Sequence, residues 1–166
     1  MTQKTMSEKD MYVASFKREY ETTLRMLRAY PPDKSELKPA PNLKCARELA
    51  WMLVLNQSVV VPTMRGELKL GMFPDPPKTW SEVIAAFERE HRETLGKLGS
   101  LTDERMNDTI KLPVGPGKIG DVPISEALWM FFHDTIHHRG QLTVYARIAG
   151  GKIPSIYGPT ADEPWS

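Results

Sequence analysis

Three of the chain's four histidines fall in one decapeptide, Phe132-His133-Asp134-Thr135-Ile136-His137-His138-Arg139-Gly140-Gln141. It lies inside an apolar-periodic run from about Ile124 to Ala149, which the spacing predicts to be helical. Residues four apart share a helix face, so the segment offers two ligand-type pairs, His133/His137 and Asp134/His138. Imidazole and carboxylate at this spacing can hold one divalent cation. Ile124, Leu128, Phe131, Leu142, Tyr145 and Ala149 follow the three-four stepping of a buried stripe. Asp134, Thr135 and His138 fall within that stripe, whereas His133 and His137 lie on its flank beside Met130 and Gly140. A buried carboxylate and imidazole need partners. A metal ion supplies them, and so does a plain Asp–His hydrogen bond. Asp134/His138 therefore ranks ahead of His133/His137.

Four helical segments must position these groups. The first runs from about Glu8 to Tyr30, with Met11, Phe16, Tyr20, Leu24 and Leu27 as its apolar positions, and Pro31-Pro32 stops it. The second runs from about Leu43 to Val61 with a stripe of Ala46, Leu49, Ala50, Leu53 and Val54, and Pro62 closes it. Thr63 to Lys78, with three prolines, reads as an irregular linker. Thr79 starts the third helix with Glu82 three residues on, the arrangement of a capping box. Val83, Ile84, Phe87, His91 and Leu95 continue it, and Gly99-Ser100 ends it. The charges on its outer face include Glu88 and Arg92 at ion-pair spacing.

Between Asn107 and Pro123 the period changes, and two short runs flank Gly115-Pro116-Gly117. This predicts a short β-hairpin in which Pro113 is confined to an edge. Ser125 opens the fourth helix as a weak cap or in its first turn, and Gly150-Gly151 ends it. The tail from Lys152 is rich in proline and glycine, but Ile153, Ile156, Tyr157 and Trp165 imply that it packs on the body. The expected fold is all-α: a four-helix bundle with a short hairpin between helices three and four and an irregular tail. Residues 1–166 read as a single domain. The 62–78 and 107–123 connections would frame an entrance.

Composition limits the function classes. A net charge of +1 with acids and bases evenly spread gives no phosphate-tracking surface, which argues against a nucleic-acid partner. One cysteine, Cys45, precludes an intrachain disulfide. No apolar run approaches the roughly 18 residues of a membrane span, and Met1 to Asp10 lacks the apolar core of a signal peptide. A cytoplasmic location is the expectation.

The segment His137-His138-Arg139-Gly140-Gln141-Leu142, followed by Val144-Tyr145, Arg147 and Pro154-Ser155-Ile156-Tyr157-Gly158-Pro159, resembles the DinB/YfiT-like family of bacterial four-helix proteins. The resemblance covers nearly the whole chain. It implies a divalent metal, zinc or nickel, held by one histidine of the second helix and two from the fourth, four residues apart. His138 matches the last of these, and Asp134 stands at the position four residues earlier. The second-helix position falls at Met52, whose thioether is a poor ligand for either ion; Asn56 follows four residues on. The resemblance implies transfer of low-molecular-weight thiols, or a hydrolase activity, and a homodimer. The alternative is an inactive bundle without metal that binds a small apolar ligand or acts through dimerisation, with Met52, Asn56 and Tyr145 at its pocket.

Other residues carry a chemical and a structural reading. Arg139 and Gln141 could bind a substrate carboxylate or thiol, but tying the helix to the tail is favoured. Tyr145 could donate a proton, but packing with one hydrogen bond is favoured. Cys45 could gain reactivity at a helix N-terminus, but an inert small residue is favoured. Met52 reads as a core residue filling the space of a lost ligand.

Overall fold

The computed structural model describes residues 6–69, 71 and 73–165. The amino-terminal residues 1–5, Leu70 and Met72 of the 62–78 linker, and Ser166 of the tail lie outside the described residues. Helices α1 (Glu8–Ala29), α2 (Ala46–Ser58), α4 (Trp80–Leu98) and α6 (Ile124–Ile148) form the bundle expected from the sequence. Helix α2 packs on α4 and α6, and α1 packs on the same two helices. Between α2 and α4 lies a short helix, α3 (Val60–Arg65), and between α4 and α6 lie α5 (Asp103–Asn107) and a hairpin of β1 (Thr109–Gly115) and β2 (Lys118–Pro123).

Helix α2 starts at Ala46, three residues later than the apolar pattern suggests, because Cys45 takes an extended conformation as its N-cap and Glu48 accepts from the Cys45 amide at 2.8 Å. Pro62 does not close the helical stretch. It lacks the N–H that would reach the Ser58 carbonyl, so the ladder breaks there and α3 carries on with Pro62 in its first turn, where a missing donor costs nothing. Helix α3 ends at Gly66, whose φ of 75° most side chains resist. Residues Thr63–Arg65 of the expected linker are therefore helical.

The capping box of α4 is present: Thr79 Oγ1 accepts from the Glu82 amide at 3.3 Å and Glu82 accepts from the Thr79 amide at 2.9 Å. On its outer face, Glu88 pairs with Arg28 of α1 at 2.6 Å rather than with Arg92. In the antiparallel hairpin Ile110 faces Val122 and Pro113 faces Ile119, with a bulge at Val114. Its inward residues Ile110 and Leu112 are buried. On α1 the buried line runs through Tyr12 rather than Met11, which is 46 % exposed. Tyr12 turns inward because its ring packs edge-on against Trp129 of α6 at 5.2 Å.

The interior has two apolar halves. One joins Leu24, Leu27, Leu53, Phe87 and Leu142; the other joins Tyr12, Phe16, Val60, Leu98, Ile124 and Leu128. Between them each main helix contributes buried polar side chains at the same level: Glu19 and Thr23 from α1, Asn56 and Gln57 from α2, His91 and Thr94 from α4, and Arg139 from α6. This polar belt sets the level at which the decapeptide of α6 crosses the bundle.

Candidate functional site

Asp134 and His138, one turn apart on α6, meet directly: His138 Nε2 lies 3.1 Å from Asp134 Oδ2. The same oxygen accepts from Asn56 Nδ2 of α2 at 2.8 Å. Behind His138, Nδ1 lies 3.1 Å from Gln141 Oε1, and Gln141 Nε2 lies 3.1 Å from His137 Nε2. Five side chains thus form one hydrogen-bonded chain, from Asn56 in the polar belt to the exposed His137.

The helix is rotated relative to the expected stripe. The centre of its buried line passes through Phe132 and Arg139, not through Asp134 and His138, whose side chains stay 39 % and 15 % exposed on the margin facing α2. Phe131 and Ala149 are likewise only partly buried. The rotation places Arg139, 1 % exposed, inside. Such burial needs full compensation. Arg139 Nη1 pairs with Glu19 Oε2 at 2.8 Å and donates to Thr23 Oγ1 at 3.0 Å. Its Nη2 donates to the Tyr157 hydroxyl, which in turn donates to Glu19 Oε2 at 2.7 Å. Burial pushes the Glu19 carboxyl up, but the hydrogen bonds from Tyr157 and Arg139 and the guanidinium charge outweigh it and hold it below its usual range. Arg139 therefore links α6 to α1 and to the tail.

The remaining candidates lie apart. His133 is exposed and stacks on Trp129 with ring centroids 5.9 Å apart, while His137 turns to Gln141. Each is engaged with a different neighbour. Met52 is half-buried and lines a groove of about 280 Å³ with Leu55, Phe73, Met130, Phe131 and Asp134. Asn56 lines the same groove. Tyr145 does not. It lines a neighbouring groove of about 400 Å³ with Leu43, Leu49, Val144, His138 and Gln141. Its hydroxyl donates to the Lys44 carbonyl at 3.0 Å, and burial raises its pKa. Asp134 and His138 stand where the two grooves adjoin. Of the segments expected to frame an entrance, Phe73 of the linker reaches the Met52 groove. The hairpin instead packs through Ile110 and Leu112 into the apolar half that holds Tyr12 and Ile124, and none of its described residues lines either groove. Cys45 is buried, and burial pushes its thiol up, so it is no ready nucleophile.

These residues do not fit a resident zinc or nickel centre. Among the described residues no three His, Cys, Asp or Glu side chains come together. The two strong donors are engaged with each other, and the third corner is a thioether at Met52 and an amide at Asn56.

The periodicity put His91 on the apolar line of the third helix but did not single out its partner Gln57. His91 is 7 % exposed, lying between the rings of Tyr20 and Phe16 at 3.6 and 5.0 Å, with Nδ1 3.2 Å from Gln57 Oε1. Burial lowers it to about 4. The signal that marks this level is Asn56-Gln57, two amides in succession between Leu53-Val54-Leu55 and Val59-Val60.

No curated protein matches the chain. Among solved structures, a DinB-like protein from Bacillus cereus superposes with a TM-score of 0.72 at 23% identity, covering 88% of this chain and 95% of that one. A DinB-like protein from Bacillus subtilis gives 0.70 at 19% identity over 88% and 96%. A conserved protein from Enterococcus faecalis gives 0.63 at 17% identity over 87% and 98%. At these identities the likeness shows the fold. The sequence itself matches the DinB family over residues 1–165, and the chain belongs to the DinB family.

Proposed function

We propose that the α2–α6 face is a small-molecule-binding site in which the hydrogen-bonded set Asn56–Asp134–His138 stands in place of a three-ligand metal centre, so that the protein binds its ligand without a resident metal. The observation that supports this reading is the closure of the set on itself: Asp134 Oδ2 is shared by Asn56 at 2.8 Å and His138 at 3.1 Å, and Met52 lies beside it where a third ligand would be needed. Two apolar-walled grooves adjoin at this polar pair, as binding sites do when a few polar groups orient a ligand held mainly by apolar contact. The polar pair supplies hydrogen bonding, and the grooves supply affinity.

Calorimetric titration with zinc and with nickel tests the reading. The natural protein is expected to bind both ions more weakly than about 10 μM, and Met52→His, which supplies an imidazole as the third ligand beside Asp134 and His138, is expected to gain roughly 100-fold or more. One zinc or nickel per natural chain at sub-micromolar affinity, lost in His138→Ala, would overturn it. The site would then return to metal-dependent chemistry, with thiol transfer the activity to assay.

A further inference from the structure

We infer that the groove between α2 and α6 takes an organic ammonium ion, a protonated amine carried on a compact apolar body; this rests on the small-molecule reading above. The walls are Met52, Leu55, Val59, Met130 and Phe131, with Phe73 at the side, and among the described residues Asp134 is the one charged residue lining the groove. An apolar wall with a single carboxylate selects a cation, because a buried ligand charge needs an opposite partner and an anionic head would meet Asp134 directly. The geometry leaves that carboxylate usable. Both hydrogen bonds to Asp134 end on Oδ2, its side chain is 39 % exposed, and Oδ1 carries no hydrogen bond among the described residues.

The walls suit such a head as well as the body. Aromatic faces such as Phe131 and Phe73 attract an ammonium held over them, and the thioethers of Met52 and Met130 adapt to varied apolar shapes. The volume, about 280 Å³, sits at the lower edge of the range for ligand sites and favours a body of roughly ten to fifteen non-hydrogen atoms. Met130 is 48 % exposed and one turn before Asp134, so a basic side chain at that position can reach the carboxylate and occupy the ammonium position.

Three probes with one body and different heads test the assignment: phenylbutylamine, phenylbutanol and phenylbutanoate, titrated into the full chain in chelator-treated buffer and followed by ligand-observed NMR. The amine is expected to bind about tenfold or more tightly than the alcohol, and the acid least. Asp134→Asn is expected to bring the amine down to the level of the alcohol while leaving the alcohol's binding in place. Met130→Arg, at an exposed position that tolerates substitution, is expected to remove amine binding while the urea midpoint is maintained. Saturable binding of the alcohol or the acid as tight as that of the amine would overturn the ammonium assignment and leave the small-molecule reading standing. Absence of Met130→Arg-sensitive binding for all three probes would overturn both.

Discussion

The imidazole of His91 lies between two aromatic rings, where water cannot solvate its charged form, and this holds its pKa near 4 against an ordinary 6.5. The unfolded chain takes up a proton as pH falls through 6.5, whereas the folded chain does so only near 4. The unfolded state therefore binds more protons across that window, and stability drops as pH falls through it, by an amount on the order of 3 kcal/mol. Glu19 acts in a different window. Its carboxyl is held below its ordinary 4.5, so its contribution is complete above that value and is lost as pH falls below it. Urea midpoints measured at pH 7 and pH 4.5 should show a marked loss in the natural protein and a much smaller one in His91→Gln. Equal losses in the two proteins would show that His91 titrates normally. Met52 illustrates the same dependence on surroundings: its type made it the expected core filler, and its position makes it a wall of the groove beside Asp134.

At the scale of elements, local sequence signals and tertiary packing compete. The α4 start is set locally, since Thr79 and Glu82 satisfy each other's amides without help from any other element. Thr79→Ala should cost about 1 kcal/mol and speed hydrogen exchange in the first turn of α4 while leaving the C-terminal turns protected. An unchanged urea midpoint would mean that burial of Trp80 and Val83 alone fixes that end. The passage from α2 to α3 depends instead on one missing donor at Pro62 and on Gly66 at positive φ. Two α-helices that the apolar pattern did not reveal, α3 and α5, have six and five residues. Neither spans two helical turns, so neither can display a 3.6-residue period.

Across the whole molecule, the polar belt between the two apolar halves makes the tail part of the fold. Tyr157 closes the Glu19–Arg139 pair, Arg25 pairs with Glu163 at 2.6 Å, and Arg147 pairs with Asp162 at 2.7 Å. The exposed pairs contribute little each. The Tyr157 contact matters more because it satisfies two buried charged groups. A chain ending at Pro154 should unfold at a distinctly lower urea concentration and exchange amides faster near Glu19 and Arg139. Tyr157→Phe should account for roughly 1–3 kcal/mol of that loss. If the shortened chain kept the full midpoint, the tail would be an appendage and the buried pair self-sufficient.

The sequence by itself determined the four main helices, the hairpin and the family, because apolar period, proline and glycine breaks and the Thr79 cap are local and each points to the same element. It also brought Asp134 and His138 together, since helical spacing alone makes them neighbours. Packing decided the rest. The rotation of α6 follows from partners more than a hundred residues away in sequence: Glu19 and Thr23 draw Arg139 inside, which leaves Asp134 and His138 on the margin. The choice of Asn56 as the partner of Asp134, and of Phe73 and Met130 as walls, depends on how α2 and the following linker meet α6. The side-chain period of one helix fixes which residues share a face; only the neighbouring helices fix which face turns inward, and with it which donors reach the site.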